Sequence, residues 1–152
     1  LSLESLRFSQ SFSYTIENDE KLDKEDIYIP SLLLQPFVEN AIWHGLINKE
    51  GEKQLHIHFS EKQGKLQCVI EDNGVGRAKA AEIKEQKLGA GRFESKGTRL
   101  AMQRIEILNK EKPGSAAIET IDLFDIAGNV AGTKVVITLA NDLIPQKNND
   151  HD

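Results

Sequence analysis

The sequence predicts one α/β domain, with strands and amphipathic helices interleaved along a single chain. Three observations predict it. Five segments, 11–17, 54–60, 65–72, 116–124 and 133–140, read as half-buried strands with a two-residue period. Two others, 32–47 and 98–109, carry apolar residues at helical spacing. No repeat or linker divides the 152 residues, so they count as one domain.

Composition narrows the class. The chain is 39% hydrophobic and 28% charged, the balance of an ordinary soluble domain. At this length a chain buries roughly 70% of its unfolded surface and needs no disulfide or metal to fold. Cys68 is the sole cysteine, which excludes a disulfide scaffold and fits a reducing compartment. No apolar run approaches the ~20 residues of a membrane span. The longest candidate, 29–47, contains Gln35, Glu39, Asn40 and His44. The net charge is −5, which argues against a dedicated nucleic-acid binder. Within 77–99, seven basic and three acidic residues give +4, against −9 for the rest. A basic segment on an acidic protein suggests a small anionic ligand. The chain opens on Leu1 and its only methionine is Met102, so it is expected to be a piece of a longer protein without a visible targeting peptide.

The elements follow in order. Residues 1–10 read as the last turns of a helix, with Leu3 and Leu6 on one face. Phe12, Tyr14 and Ile16 alternate with polar residues in the first strand, and an acidic loop covers 18–26. Pro30 and Ser31 start a helix running from Leu32 to about Ile47, with Ser31 as its N-cap. It places Asn40 and His44 on one face and Gln35 and Glu39 on the next. Gly45 lies near its end. Leu55, Ile57 and Phe59 share one side of the second strand, His56 and His58 the other. A turn at 61–64 leads to the third strand, in which Leu66, Cys68 and Ile70 share a face. Asp72 falls on that same core-facing parity, an unusual place for a carboxylate unless it meets a ligand. Residues 73–97 hold five of the eleven glycines and read mainly as a long mobile loop, with a short helix around 78–84. A helix over 98–109 ends at Lys112-Pro113-Gly114, and the last two strands flank a turn at 125–132. The tail from 142 is polar and expected to fray.

Four features carry chemistry. In Asp72-Asn73-Gly74-Val75-Gly76 an ionised carboxylate only accepts hydrogen bonds, and an exocyclic amine such as that of adenine is a fitting donor. Gly74 and Gly76 would let backbone approach a flat ring. A hairpin turn with an exposed Asp is the plainer alternative. Asn40, on an apolar helix, is either a core amide paired with backbone or an oxygen ligand for Mg²⁺. The basic stretch from Arg77 leads through Gly97 into a helix N-terminus, a setting for phosphate or simply a solvated loop. Thr133 shares inward parity with Val135, Ile137 and Leu139. Cys68 reads as inert packing and Trp43 as core. His56 and His58 read as an exposed strand face, since two ligands are too few for a structural zinc.

Taken together, these segments resemble the nucleotide-binding domain of the GHKL superfamily, the Bergerat fold, and in particular the catalytic domain of LytS-type sensor histidine kinases. IPSLLLQPFVENAIWHG resembles that family's N box and DNGVG its G1 box. SKGTRLAMQRIEILN occupies the place of the G2 region, and GTKVVITL resembles the closing strand. The likeness covers the chain from about Phe8 to Ala140.

That resemblance implies a two-layer α/β sandwich, a mixed and mostly antiparallel sheet with helices on one face. Residues 1–10 would end an upstream linker helix, 11–141 form the ATP-binding domain and 142–152 the tail. The cofactors implied are ATP and Mg²⁺. Asn40 would ligate the metal and His44 lie near ribose or phosphates. Asp72 would bind the adenine amine, with Gly74 and Gly76 shaping that wall and Thr133 supporting it through water. Residues 77–96 would form a lid, at whose end Gly97, Thr98 and Leu100 meet the nucleotide.

The sequence departs from the family pattern at three positions. Arg99 stands where the G2 region usually has a second glycine, and either reaches a phosphate or crowds the pocket. Trp43 replaces a basic residue that many relatives carry. Pro36 occupies the place of the water-activating glutamate of the ATPase branch, which favours phosphoryl transfer over hydrolysis. The implied acceptor is a histidine on an upstream dimerisation domain, and the onward partner is a response regulator receiver domain. None of the four histidines here has an acceptor-like helix context. The chain is therefore expected to bind ATP without phosphorylating itself. It would be a monomer or weak dimer and the cytoplasmic part of an inner-membrane sensor, touching neither membrane nor nucleic acid. A serine kinase of the anti-sigma type and a nucleotide-binding interaction module without transfer activity are the alternatives.

Overall fold

The computed structural model describes residues 13–19, 31–88 and 96–140. The expected helix over 1–10, most of the acidic loop, the glycines at 89 and 91 and the polar tail lie outside the described residues. The strands are β1 (Ser13–Asn18), β2 (Gln54–Lys62), β3 (Lys65–Asp72), β4 (Ala116–Phe124) and β5 (Val130–Ala140). The helices are α1 (Ser31–Asn40), continued by a π-helical turn (Ala41–Leu46), then α2 (Arg77–Leu88) and α3 (Lys96–Glu111).

The strands form one sheet in the order β1-β2-β3-β5-β4. Only β1 and β2 run parallel; the other neighbours are antiparallel. The register follows from the alternation. Ile57 stands opposite Ile70, Ile70 opposite Val135, and Cys68 opposite Ile137. A one-residue slip would turn each of these to the wrong face. Against this face pack Leu33, Phe37, Val38, Ile42 and Leu46 from α1 and the π turn, and Ala101 and Ile105 from α3. Each fully buried Leu or Ile among them stabilises the fold by roughly 1.5–3 kcal/mol. The helices cover one face of the mixed sheet.

The structure corrects several boundaries. Within 73–97 the short helix expected around 78–84 is present and longer than expected, as α2 across Arg77–Leu88. RAKAAEIKEQKL is nearly all strong helix formers, and the glycines lie outside it. Its first bond runs from Ala80 N–H back to the Gly76 carbonyl, 3.0 Å. Helix α3 begins at Lys96, so Gly97 sits in its first turn rather than ahead of it. The β2–β3 turn narrows to Gln63 and Gly64, both with positive φ (52° and 73°), the primed geometry that matches strand twist. Strand β5 starts at Val130, because Asp125 holds the loop by accepting the Asn129 N–H at 2.9 Å. Trp43, expected in the core, is 52% exposed. Helical spacing accounts for this: at about 100° per residue Trp43 falls on the side opposite the buried stripe of Leu33, Phe37, Val38 and Ala41.

Candidate functional site

The site grows from Asp72 at the end of β3. Alternation points its carboxylate inward, and it is only 5% exposed. One oxygen accepts the Gly74 N–H at 2.9 Å, and the Thr133 backbone also hydrogen-bonds it. Burial nevertheless dominates and pushes its pKa from 3.8 up to about 6, with Glu71 adding to the rise and Lys49 opposing it.

Glycines permit this burial. The π turn ends with the Ile47 N–H bonded to the Ile42 carbonyl at 3.0 Å, which lays Gly45 against Asp72. A methyl group at Gly45 would meet Asp72 Oδ1 at 2.8 Å. The Gly45 carbonyl in turn accepts the Val75 N–H at 3.1 Å. On the opposite side Gly132 has φ +145°, and a Cβ there would fall 1.9 Å from the Asp72 carbonyl oxygen. Asn73 locks the turn's outer side. Its Oδ1 accepts the Gln54 N–H at 2.8 Å, and its Nδ2 donates to the Glu52 carbonyl at 3.1 Å. Lys49 Nζ donates to the Asn73 carbonyl at 2.7 Å.

A cavity of about 270 Å³ opens above Asp72. Its apolar walls are Phe37, Ala41, Ile70 and Val135; its polar groups are Asn40, His44, Asp72, Thr98, Thr120 and Thr133, with Gly76 and Arg77 at the α2 side. An apolar slot with a few convergent polar groups is the usual form of a small-molecule site. Asn40 Nδ2 donates to Thr98 Oγ1 at 2.8 Å, joining the end of α1 to the first turn of α3. His44 has its pKa lowered, first by burial and then by Lys84, so it is neutral at pH 7.

The cavity thus brings together Asn40, His44, Asp72, Gly76, Thr98 and Thr133. Four other candidates do not line it. Gly74 packs on the Gly45 backbone, where a Cβ would meet the Gly45 carbonyl carbon at 2.4 Å. Gly97 packs on Pro36, with Cβ and Cγ at 3.2 Å from its would-be methyl. Arg99 and Leu100 are exposed on α3. The sequence reading missed Phe37, Gly45, Thr120 and the partner of Arg77. Arg77 donates from Nε and Nη2 to Asp122 Oδ1 and Oδ2, at 2.9 and 3.0 Å. A signal for two of these existed. Thr120 and Asp122 share the inward parity of Ala116 and Ile118, so they break the apolar pattern of β4 as Asp72 breaks that of β3.

Among the described residues no group of three or more His, Cys, Asp or Glu is placed to hold a metal. His58 Nε2 instead meets Asp19 Oδ1 at 3.1 Å, and His56 Nε2 lies 3.7 Å from Glu17 Oε2, both across the β1–β2 pair. Burial pushes the Cys68 thiol up to about 12, which leaves it unreactive.

This architecture is that of the GHKL-type catalytic domain of histidine kinases. The chain superposes on the histidine kinase domain of the Erythrobacter litoralis EL346 blue-light activated histidine kinase with a TM-score of 0.56 and 17% identity, covering 88% of this chain and 55% of that one. In sequence it is similar to the sensor histidine kinase/phosphatase LytS of Staphylococcus aureus, 30% identical over 119 residues, which is 77% of this chain and 20% of LytS. It is also similar to the Escherichia coli sensor histidine kinase YpdA, 31% identical over 96 residues, 59% of this chain and 16% of YpdA. The chain therefore spans a fifth or less of the length of these two relatives. No family model matches it. No helix among the described residues is long and apolar enough to cross a membrane.

Proposed function

We propose that this chain is the ATP-binding catalytic domain of a LytS-type two-component sensor histidine kinase. It binds Mg²⁺-ATP and presents the γ-phosphate to a histidine on a separate dimerisation domain. A response regulator receiver domain takes the phosphate next, and the reaction belongs to the cytoplasmic side of a membrane sensor. One observation carries the reading: a buried carboxylate, Asp72, in an apolar-walled cavity that the Asn40 amide and the Thr98 hydroxyl also line.

The residues fit such a nucleotide. Ile70 and Val135 offer apolar surface to a flat base, and Asp72 offers an acceptor to its exocyclic amine. Asn40 spends its amide nitrogen on Thr98, which leaves its oxygen as the donor for Mg²⁺. Bound Mg²⁺-ATP supplies the transferable phosphoryl group. The chain's own work is positioning, since phosphoryl transfer asks little covalent chemistry of the protein. Pro36 lies inside α1, packed on Gly97, where no side chain can activate water. That disfavours hydrolysis.

Transfer is tested by joining the chain to a histidine-bearing dimerisation domain and supplying labelled ATP. Acid-labile label on that domain, lost in Asn40→Asp and Asp72→Asn, is the expected result. Acid-stable label would mean a serine kinase. Nucleotide binding with no transfer would reduce the chain to a nucleotide-responsive interaction module.

A further inference from the structure

Arg77 and Asp122 form a forked ion pair beside the cavity that the functional reading does not use. Asp122 stands opposite Thr133 in the β4–β5 ladder, and Thr133 stands opposite Asp72 in the β3–β5 ladder. The three side chains therefore share one row on the helix-covered face, with Asp72 and Asp122 two strand spacings apart, about 10 Å. Arg77 reaches down to this row from the start of α2. Among the described residues lining the cavity it alone carries a fixed positive charge, because His44 is neutral at pH 7. The fork uses Nε and Nη2, so the Nη1 edge of the planar guanidinium remains for a ligand.

We infer that Arg77 contacts the nucleotide at the end of the base site opposite Asp72, donating from Nη1 to an acceptor on the base or ribose, and that Asp122 is the positioning residue that fixes the guanidinium there. This rests on the nucleotide-binding reading given above. It gives the site two anchors: an acceptor at Asp72 for a donor on the base, and a donor at Arg77, whose partner Asp122 stands two strands away from Asp72.

The test is calorimetric titration of adenosine and of Mg²⁺-ATP into the 152-residue chain. Arg77→Gln weakens both ligands by the same factor, about tenfold for one lost charge-assisted bond. Asp122→Asn weakens both by a smaller common factor. The exchanged pair, Arg77→Asp with Asp122→Arg, restores the ion pair but not the donor on α2. It keeps the thermal midpoint and binds as weakly as Arg77→Gln. Wild-type affinity in the exchanged pair would reduce the contact to a structural clamp and overturn the inference. A loss confined to ATP would also overturn it, by moving the contact to phosphate. Should the exchanged pair not fold, the adenosine and ATP factors of Arg77→Gln decide alone. If the wild type binds neither ligand, the nucleotide reading falls and this inference with it. If it binds both and Arg77→Gln is unchanged, the inference alone falls.

Discussion

Burial of the Asp72 carboxylate carries an energetic cost that a hydrogen-bond donor on a ligand would relieve. Its folded pKa of about 6 exceeds the ordinary 3.8, so the folded state holds its proton more tightly than the unfolded chain. Its contribution to stability is fullest below pH 3.8 and is lost as the pH rises through about 6. Above that the ionised carboxylate costs about 3 kcal/mol. Asp72→Asn removes the charge, keeps an oxygen for the Gly74 N–H, and offers the base a donor in place of an acceptor. Urea titrations at pH 8 and pH 4.5 are expected to show the variant more stable than wild type at pH 8, with the gap shrinking at pH 4.5. A gap of equal size at both would contradict the burial account. The two neighbouring glycines separate fold from site. Gly132→Val drives a side chain into backbone at a left-handed φ and is expected to cost at least about 2 kcal/mol. In Gly45→Ala the obstacle is the Asp72 carboxylate itself, which can swing aside. That variant is expected to stay folded by circular dichroism while losing nucleotide affinity.

At the scale of elements, the surroundings of Asp72 are a meeting of three chain segments: the π turn, the β3–α2 turn and the start of β5. Asn73 ties the second of these to the residues entering β2 through its two side-chain bonds. Asn73→Ala is expected to cost about 1–3 kcal/mol in denaturant unfolding, and to weaken ligand binding indirectly by loosening Asp72 and Gly74. Full retention of stability would contradict that role. The strands were legible because alternation marks both their existence and their faces; the inward parity of Asp72 came from the same signal. Thr120 and Asp122 carried that signal on β4 and were passed over. Helix α2 was legible only as a short helix around 78–84, and the glycines on either side hid its full length of twelve residues. The π turn left no mark, since local helical spacing does not report a single added residue. Pairings such as Arg77 with Asp122, 45 residues apart, depend on the tertiary fold and have no local signature.

For the whole molecule, one sheet face carries the helices, and the cavity above Asp72 lies between the two. The basic surplus of 77–99 is in part spent on the protein, since Arg77 pairs with Asp122, and Arg99 is exposed on α3 away from the cavity wall. Of the two alternatives for Arg99, crowding of the pocket is not found, and Trp43 turns outward instead of filling the core. The opposite sheet face holds His56 and His58 against the carboxylates of Glu17 in β1 and Asp19 just past its end. The central claim is that Asp72 reads an exocyclic amine on a Mg²⁺-bound nucleotide. It is tested most directly by calorimetric titration of ATP and ITP, with and without Mg²⁺, into the wild-type chain and Asp72→Asn. ITP carries an oxygen where ATP carries that amine. The account predicts that ATP binds wild type, more tightly with Mg²⁺, and at least about tenfold better than ITP, a preference Asp72→Asn abolishes. Equal affinity for the two nucleotides, or no binding of ATP by the folded chain at millimolar concentration, would contradict it.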